Sequence, residues 1–241
     1  MSAGDARTRE RLPRRDARFY LLAVAIGLLS GFLAGLFGVG GGILIIPALT
    51  LLLGVDRRLA HGTSLTAIIP MALVGVTGYA LGDSVDWFAA LMLTLGAAGG
   101  TVLGTAALHR LPQRVLRLSF AAFVVATAAR MLFEVGAPAG EPRLSVATAA
   151  LLVLTGIVSG ITAGLFGVGG GLVMVPAMVL LLCLPDALAK GTSLAVIVPT
   201  ALVGTYRNAR VKNTDLPLAA VLGLSGMGTA FAMSQWSVTM D

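Results

Sequence analysis

The chain has 241 residues, of which 57% are hydrophobic and 12% charged, and its mean hydropathy is +0.93. Soluble domains carry about 25% charged residues. Seventeen basic and 11 acidic side chains, crowded into a few short stretches, cannot cover a water-facing globule of this size, so a soluble fold is excluded. The net charge of +6 does not point to nucleic acid, because six of the basic residues, Arg7, Arg9, Arg11, Arg14, Arg15 and Arg18, form a juxtamembrane tail. The 31 glycines lie within the apolar segments, where each would cost a soluble helix about 1 kcal/mol. The single cysteine, Cys183, sits in an apolar run and permits neither an internal disulfide nor a thiol cluster.

Apolar runs between polar breaks predict nine helical segments, at approximately 19–37, 42–54, 63–81, 87–108, 115–133, 145–166, 171–184, 193–206 and 216–235. Most reach the roughly 20 residues needed to cross a hydrocarbon core. The second, seventh and eighth are short and read as buried or re-entrant. No A-x-A exit follows the apolar stretch after Phe19, so that stretch reads as a span and not a cleaved leader. With a cytoplasmic N-terminus, fourteen basic residues fall on the inner side. Only Arg130, Arg143 and Lys190 fall on the outer side. The positive-inside rule then predicts a multi-pass protein of a prokaryotic cytoplasmic membrane, with the bilayer as its solvent.

Offset by 129 residues, the chain matches itself. Gly27 to Gly75 aligns with Gly156 to Gly204 without a gap, with 29 identities in 49 positions. The core is Ser30-Gly31-x-x-Ala34-Gly35-Leu36-Phe37-Gly38-Val39-Gly40-Gly41-Gly42 against Ser159-Gly160-x-x-Ala163-Gly164-Leu165-Phe166-Gly167-Val168-Gly169-Gly170-Gly171. Gly62-Thr63-Ser64-Leu65 matches Gly191-Thr192-Ser193-Leu194, and Pro47 and Pro70 match Pro176 and Pro199. Five predicted segments separate the two starts, and an odd number inverts the second copy in the membrane. The expected fold is therefore an all-α polytopic membrane protein of two inverted-topology repeats with broken or short helices. Its parts are a basic tail at 1–18, a first repeat at 19–134, a connecting loop at 135–144 and a second repeat at 145–241. Such repeats are a recurring plan of secondary transporters.

The glycines serve two predicted purposes. Gly27, Gly31 and Gly35, and their copies Gly156, Gly160 and Gly164, recur every four residues and form close-packing stripes. Gly38, Gly40, Gly41 and Gly42, with Gly167, Gly169, Gly170 and Gly171, are expected to break their helices within the membrane's thickness. Irregular backbone at that depth must be buried in protein or line a polar cavity. Its free N–H groups, with the positive end of the helix that follows, suit an anion; a tight turn between packed helices is the alternative. The spacing is neither a G-x-x-x-x-G-K-[ST] nor a dinucleotide fingerprint. A second donor cluster is expected from Thr63 and Ser64 and from Thr192 and Ser193, read as opening their helices, where N-capping would also explain them. His61 and Lys190 stand beside these hydroxyls, as candidates for a charge or proton role or as ordinary loop residues.

No Asp or Glu lies in the middle of a predicted span, which argues against a carboxylate-coupled cation carrier. With only His61 and His109, and no nucleophile motif, the sequence shows no enzyme, no metal site and no cofactor.

The paired S-G-x-x-A-G-x-x-G-x-G-G-G and G-T-S-L motifs, each with a downstream proline, resemble those of the TauE/SafE family of sulfite exporter-like membrane proteins, over residues 20 to about 230. The resemblance implies a carrier of small sulfur-containing anions such as sulfite, sulfoacetate, thiosulfate or other organosulfonates. The leading expectation is an alternating-access exporter or facilitator with its site between the repeats. A non-transporting scaffold or assembly subunit is the alternative from another class, and a cation carrier is a third. The counterpart of 115–133 would fall at 244–262, past Asp241, so the expectation is either a second repeat short of its last helix, a gap that a homo-oligomer would offset, or a truncated or frame-shifted product.

Overall fold

The computed structural model describes residues 16–110, 146–182 and 184–240. Residues 1–15 of the tail, the predicted segment 115–133, the connecting loop and Cys183 lie outside the described residues. Among those described, all regular structure is helical, in eight elements: α1 (Ala17–Phe37), α2 (Gly42–Leu51), α3 (Arg57–Leu81), α4 (Trp87–Arg110), α5 (Val146–Phe166), α6 (Gly171–Leu182), α7 (Asp186–Arg210) and α8 (Leu216–Val238). Six are long and apolar enough to cross a membrane. At 1.5 Å per residue, the 10 residues of α2 span about 15 Å and the 12 of α6 about 18 Å, about half of a hydrocarbon core.

Two predicted lengths are corrected. The segment 193–206, read as short, is the middle of α7, a 25-residue helix that starts after Pro185. The same lengthening applies to α3, which begins six residues before the predicted 63, behind an Asp56 cap that accepts the Arg58 N–H. The polar residues His61, Thr63, Ser64, Lys190, Thr192 and Ser193 had masked these first turns, because they read as loop while lying in helices buried by neighbours.

The largest helix contacts join the two halves of the chain. α1 packs along α8, α5 packs along α4, and α3 crosses α7 in the centre. The glycine stripes make the outer pairings close. A Cβ on Gly27, Gly31 or Gly35 would lie 2.5, 2.0 or 2.3 Å from the carbonyl oxygens of Leu222, Gly226 and Ala230 on α8. On Gly156, Gly160 or Gly164 it would lie 2.2, 2.2 or 2.6 Å from those of Leu93, Ala97 and Thr101 on α4. Each residue in the second set stands 129 positions from its partner in the first. Where lipid replaces water, dispersion between touching backbones replaces the hydrophobic effect as the attraction between helices. The large apolar side chains left outside, such as Leu21, Leu51, Leu81 and Leu224, face outward as a membrane solvent requires.

The correspondence extends to the turns that follow α3 and α7. Asp83 and Lys212, again 129 apart, both adopt positive φ, at 52° and 56°. Reciprocal contact of this kind, residue i on j and their copies likewise, is what a pseudo-two-fold axis between the halves produces.

Candidate functional site

Both predicted helix breaks are present. α1 stops at Phe37, where Gly38 (φ 68°) returns its N–H to the Ala34 carbonyl, and α2 restarts at Gly42. α5 stops at Phe166 in the same way, with Gly167 (φ 68°) bonded to Ala163, and α6 restarts at Gly171. Gly40 and Gly41 have φ of 79° and 75°, and Gly169 and Gly170 of 85° and 84°. L side chains rarely enter this region, so three left-handed residues within four positions explain why the motif is glycine.

The breaks meet each other. A Cβ on Gly42 would lie 2.6 Å from the Gly167 oxygen and 2.7 Å from Val168 Cα; one on Gly171 would lie 2.6 Å from the Gly38 oxygen and 2.8 Å from Val39 Cα. The N-terminal ends of α2 and α6 therefore converge on one central crossing. Their first N–H groups have no carbonyl four residues back to accept them, and two positive dipole ends face the same place. Ile68 of α3 and Ile197 of α7, both fully buried, seal the crossing against Gly40 and Gly169. These isoleucines were missed in the sequence; their one signal was identity at the repeat offset.

Buried irregular backbone must find hydrogen bonds. Here the repeats supply one another. Ser64 Oγ donates to the Gly167 carbonyl at 3.1 Å, and Ser193 Oγ donates to the Gly38 carbonyl at 2.9 Å. The neighbouring threonines brace a second element: Thr63 Oγ1 accepts the Asp215 N–H at 3.0 Å and Thr192 Oγ1 accepts the Asp86 N–H at 2.9 Å. Asp86 and Asp215 in turn accept the N–H groups of Ala89 and Leu218, which fixes the start of α4 and of α8. Gly62 and Gly191 complete the staple, because a Cβ on either would lie 2.0 Å from the Asn213 or Ser84 carbonyl.

This geometry changes how the G-T-S motifs work. They do not open helices or cap them; they lie in the second turn of α3 and α7. A serine hydroxyl has one proton. Those of Ser64 and Ser193 are committed to glycine carbonyls, so these serines shape the breaks, while Thr63 and Thr192 accept and keep a proton to give. Valine in place of Thr63 preserves volume but leaves the buried Asp215 N–H unpaired. We expect T63V to lower stability by about 1–3 kcal/mol, and T192V, whose bond is only part-buried, to cost less. Thermal unfolding in detergent checks both, and melting of T63V at the wild-type temperature would refute the staple.

His61 and Lys190 occupy equivalent places against the opposite breaks. A Cβ on Gly167 would lie 2.7 Å from His61 Nδ1, and one on Gly38 would lie 2.6 Å from Lys190 Cα. Their surroundings differ. His61 is buried, whereas the Lys190 side chain is 14% exposed, ion-paired with Asp186 and within 3.3 Å of the Ser237 hydroxyl, to which it donates. Lys190 and Asp186 line a cavity of about 350 Å³ between the first break and α6, whose other walls include Phe37, Val39, Gly41 and Pro176. Among the described residues no group of His, Cys, Asp and Glu could hold a metal ion.

Among the described residues, six membrane-length helices, two half-length helices meeting head to head, and a buried break in each half define a polytopic membrane protein built around a central crossing. The family model described as "Sulfite exporter TauE/SafE" matches residues 2–131 and 152–239. The chain belongs to this family of membrane transporters, and not to an enzyme class. It is 29% identical over 209 residues to "Probable membrane transporter protein YunE" of Bacillus subtilis, covering 77% of each chain. It is 31% identical over 218 residues to a "Probable membrane transporter protein" of Xylella fastidiosa, covering 86% of this chain and 82% of the relative. A third relative, "Probable membrane transporter protein MJ0441" of Methanocaldococcus jannaschii, is 25% identical over 218 residues. No solved structure matches the chain significantly.

Proposed function

We propose that this chain carries a small sulfur-containing oxyanion, of the sulfite, sulfoacetate or organosulfonate kind, across a prokaryotic cytoplasmic membrane by alternating access between two inverted repeats. The repeats are 19–134 and 145–241, with the N-terminus cytoplasmic. One observation carries the reading: the two glycine breaks cross with the starts of α2 and α6 converging, beside a cavity that holds one ammonium. An oxyanion needs several donors and no competing acceptor. The N–H groups of Gly40, Gly41 and Gly42, and of Gly169, Gly170 and Gly171, would serve, with Thr63 and Thr192 behind them. Gly38 and Gly167 set the angle at which each break leaves its helix, and Ser64 and Ser193 hold those two carbonyls.

Lys190 is the first charge such an anion meets from the cavity side, and Asp186 competes with it for that charge. Removing the ammonium in K190Q is expected to raise KM for the anion about tenfold, the loss of one charge-assisted bond. D186N is expected to lower it several-fold. Flux of radiolabelled sulfite and sulfoacetate into proteoliposomes tests the function and both variants. Liposomes that move neither anion nor any related sulfonate, with a partner protein co-purifying in stoichiometric amount, would replace this reading with that of an assembly subunit.

A further inference from the structure

The two breaks share their sequence but not their hydrogen bonding. In the second, Ser159 Oγ donates to the Gly170 carbonyl at 2.5 Å, with Ser159 fully buried. In the first, the equivalent Ser30 is as deeply buried, yet its Oγ has no hydrogen-bond partner among the described residues. The serine backbone holds the same position in both: its carbonyl oxygen would lie 2.5 Å from a Cβ on Gly41 and 2.9 Å from one on Gly170. The hydroxyl is turned differently. Beside Gly170 the Ser159 Oγ is the nearest atom, at 2.7 Å, whereas beside Gly41 the nearest atoms are the O, C and Cβ of Ser30.

A second difference falls on the same halves. Phe37, which ends α1 ahead of the unbonded break, is 43% exposed and lines the cavity with Gly41. Its equivalent Phe166, ahead of the bonded break, is 9% exposed. An unmade bond at a buried hydroxyl is unfavourable, and the neighbouring motif residues are identical in the two halves, so local sequence does not account for the asymmetry.

We propose that Ser30 and Ser159 are alternating latches on the glycine breaks. The serine-to-glycine bond forms in the half that is closed and is absent in the half that is open. This structure has the Phe37 side open and the Ser159 latch made; the exchanged state makes a Ser30 to Gly41 bond and releases Gly170. The latch rests on the alternating-access reading, and both serines are positioning residues that act through the breaks.

Alanine at the two positions then acts with opposite sign. Ser159→Ala removes a bond made in this state and favours the exchanged one. Ser30→Ala removes a bond made only in the exchanged state and favours this one. A net hydrogen bond near the middle of the usual range corresponds to about a fivefold shift in the ratio of states.

The test places Cys at Phe37 or Phe166 in the full chain, with Cys183 replaced by serine, and measures labelling by a membrane-impermeant maleimide in proteoliposomes. We expect Ser30→Ala to raise the F37C to F166C rate ratio about fivefold and Ser159→Ala to lower it by a similar factor. Shifts in the same direction, or an unchanged ratio in both, overturn the latch. If Ser159→Ala fails to fold, Ser30→Ala decides alone, because it removes no bond of this state; an unchanged ratio then overturns the proposal. Opposite shifts in a protein that moves no sulfur oxyanion would instead retain the latch and overturn the substrate reading.

Discussion

Alanine at Gly31 is expected to destabilise this protein more than almost any other single methyl group could. The new Cβ would stand 2.0 Å from the Gly226 carbonyl oxygen and 2.5 Å from Thr229 Oγ1. The threonine can turn away, but the carbonyl belongs to the backbone of α8 and cannot. The two helices must separate along their whole contact, and the close approach at Gly27 and Gly35 is lost with it. We expect a loss of more than about 3 kcal/mol, beyond the usual cost of overpacking because the obstacle is backbone. Gly160→Ala, 2.2 Å from the Ala97 carbonyl and 2.7 Å from its Cα, should behave alike. Gly99→Ala and Gly228→Ala are the controls, since nothing lies within 4 Å of a Cβ at either place. They should be neutral or more stable by up to about 1 kcal/mol, the ordinary helix preference for alanine. Thermal unfolding in detergent ranks the four, and Gly31→Ala melting with Gly99→Ala would refute the packing.

The spans were legible because lipid imposes a simple rule: a long apolar run must be a helix, as its backbone has no other partner. The breaks were legible because three of four adjacent positions need positive φ, which leaves glycine as the residue that fits. Which helix each glycine stripe meets was not legible. The stripes fall on α4 and α8, where Leu93 matches Leu222 but Ala97 and Thr101 stand opposite Gly226 and Ala230, so the repeat persists in the backbone after identity has faded. A helix that offers carbonyls to its partner places little demand on its own side chains.

The hydroxyls were misread for a related reason. Ser and Thr ahead of an apolar run look like helix starts, yet Thr63, Ser64, Thr192 and Ser193 are interior and fully buried. Their partners are a glycine carbonyl 103 or 155 residues distant and an aspartate N–H 152 or 106 distant. Helix periodicity carries no information about such pairs. The repeat itself held the clue, since a motif copied in both halves and inverted can be tied to the other copy, and the Gly38 and Gly167 carbonyls find their donors in the opposite half.

The second large effect is expected at the breaks. Gly41→Ala places a Cβ in a φ of 75° and 2.5 Å from the Ser30 carbonyl oxygen; Gly170→Ala does so at 84° and 2.7 Å from Ser159 Oγ. Left-handed strain contributes about 1–2 kcal/mol, and the clash with Ser30 backbone adds to it, because α1 is held in place by α8. The break must move, and with it the N–H groups and dipole end of α2 at the crossing. A combined penalty near 3 kcal/mol corresponds to about a hundredfold loss of flux if it falls on the transporting geometry. Gly54→Ala separates strain from site: its φ is 64°, but nothing lies within 4 Å of a Cβ there. That variant should lose about 1 kcal/mol of stability and keep its flux. The informative comparison is therefore flux per folded molecule, measured in proteoliposomes on variants that remain monodisperse. Gly41→Ala carrying anion at the Gly54→Ala rate would mean that the crossing is a packed turn and nothing more. A hundredfold loss in Gly41→Ala, with a smaller one in Gly170→Ala where a rotating hydroxyl is the main obstacle, would tie transport to how closely the backbone can approach what it carries.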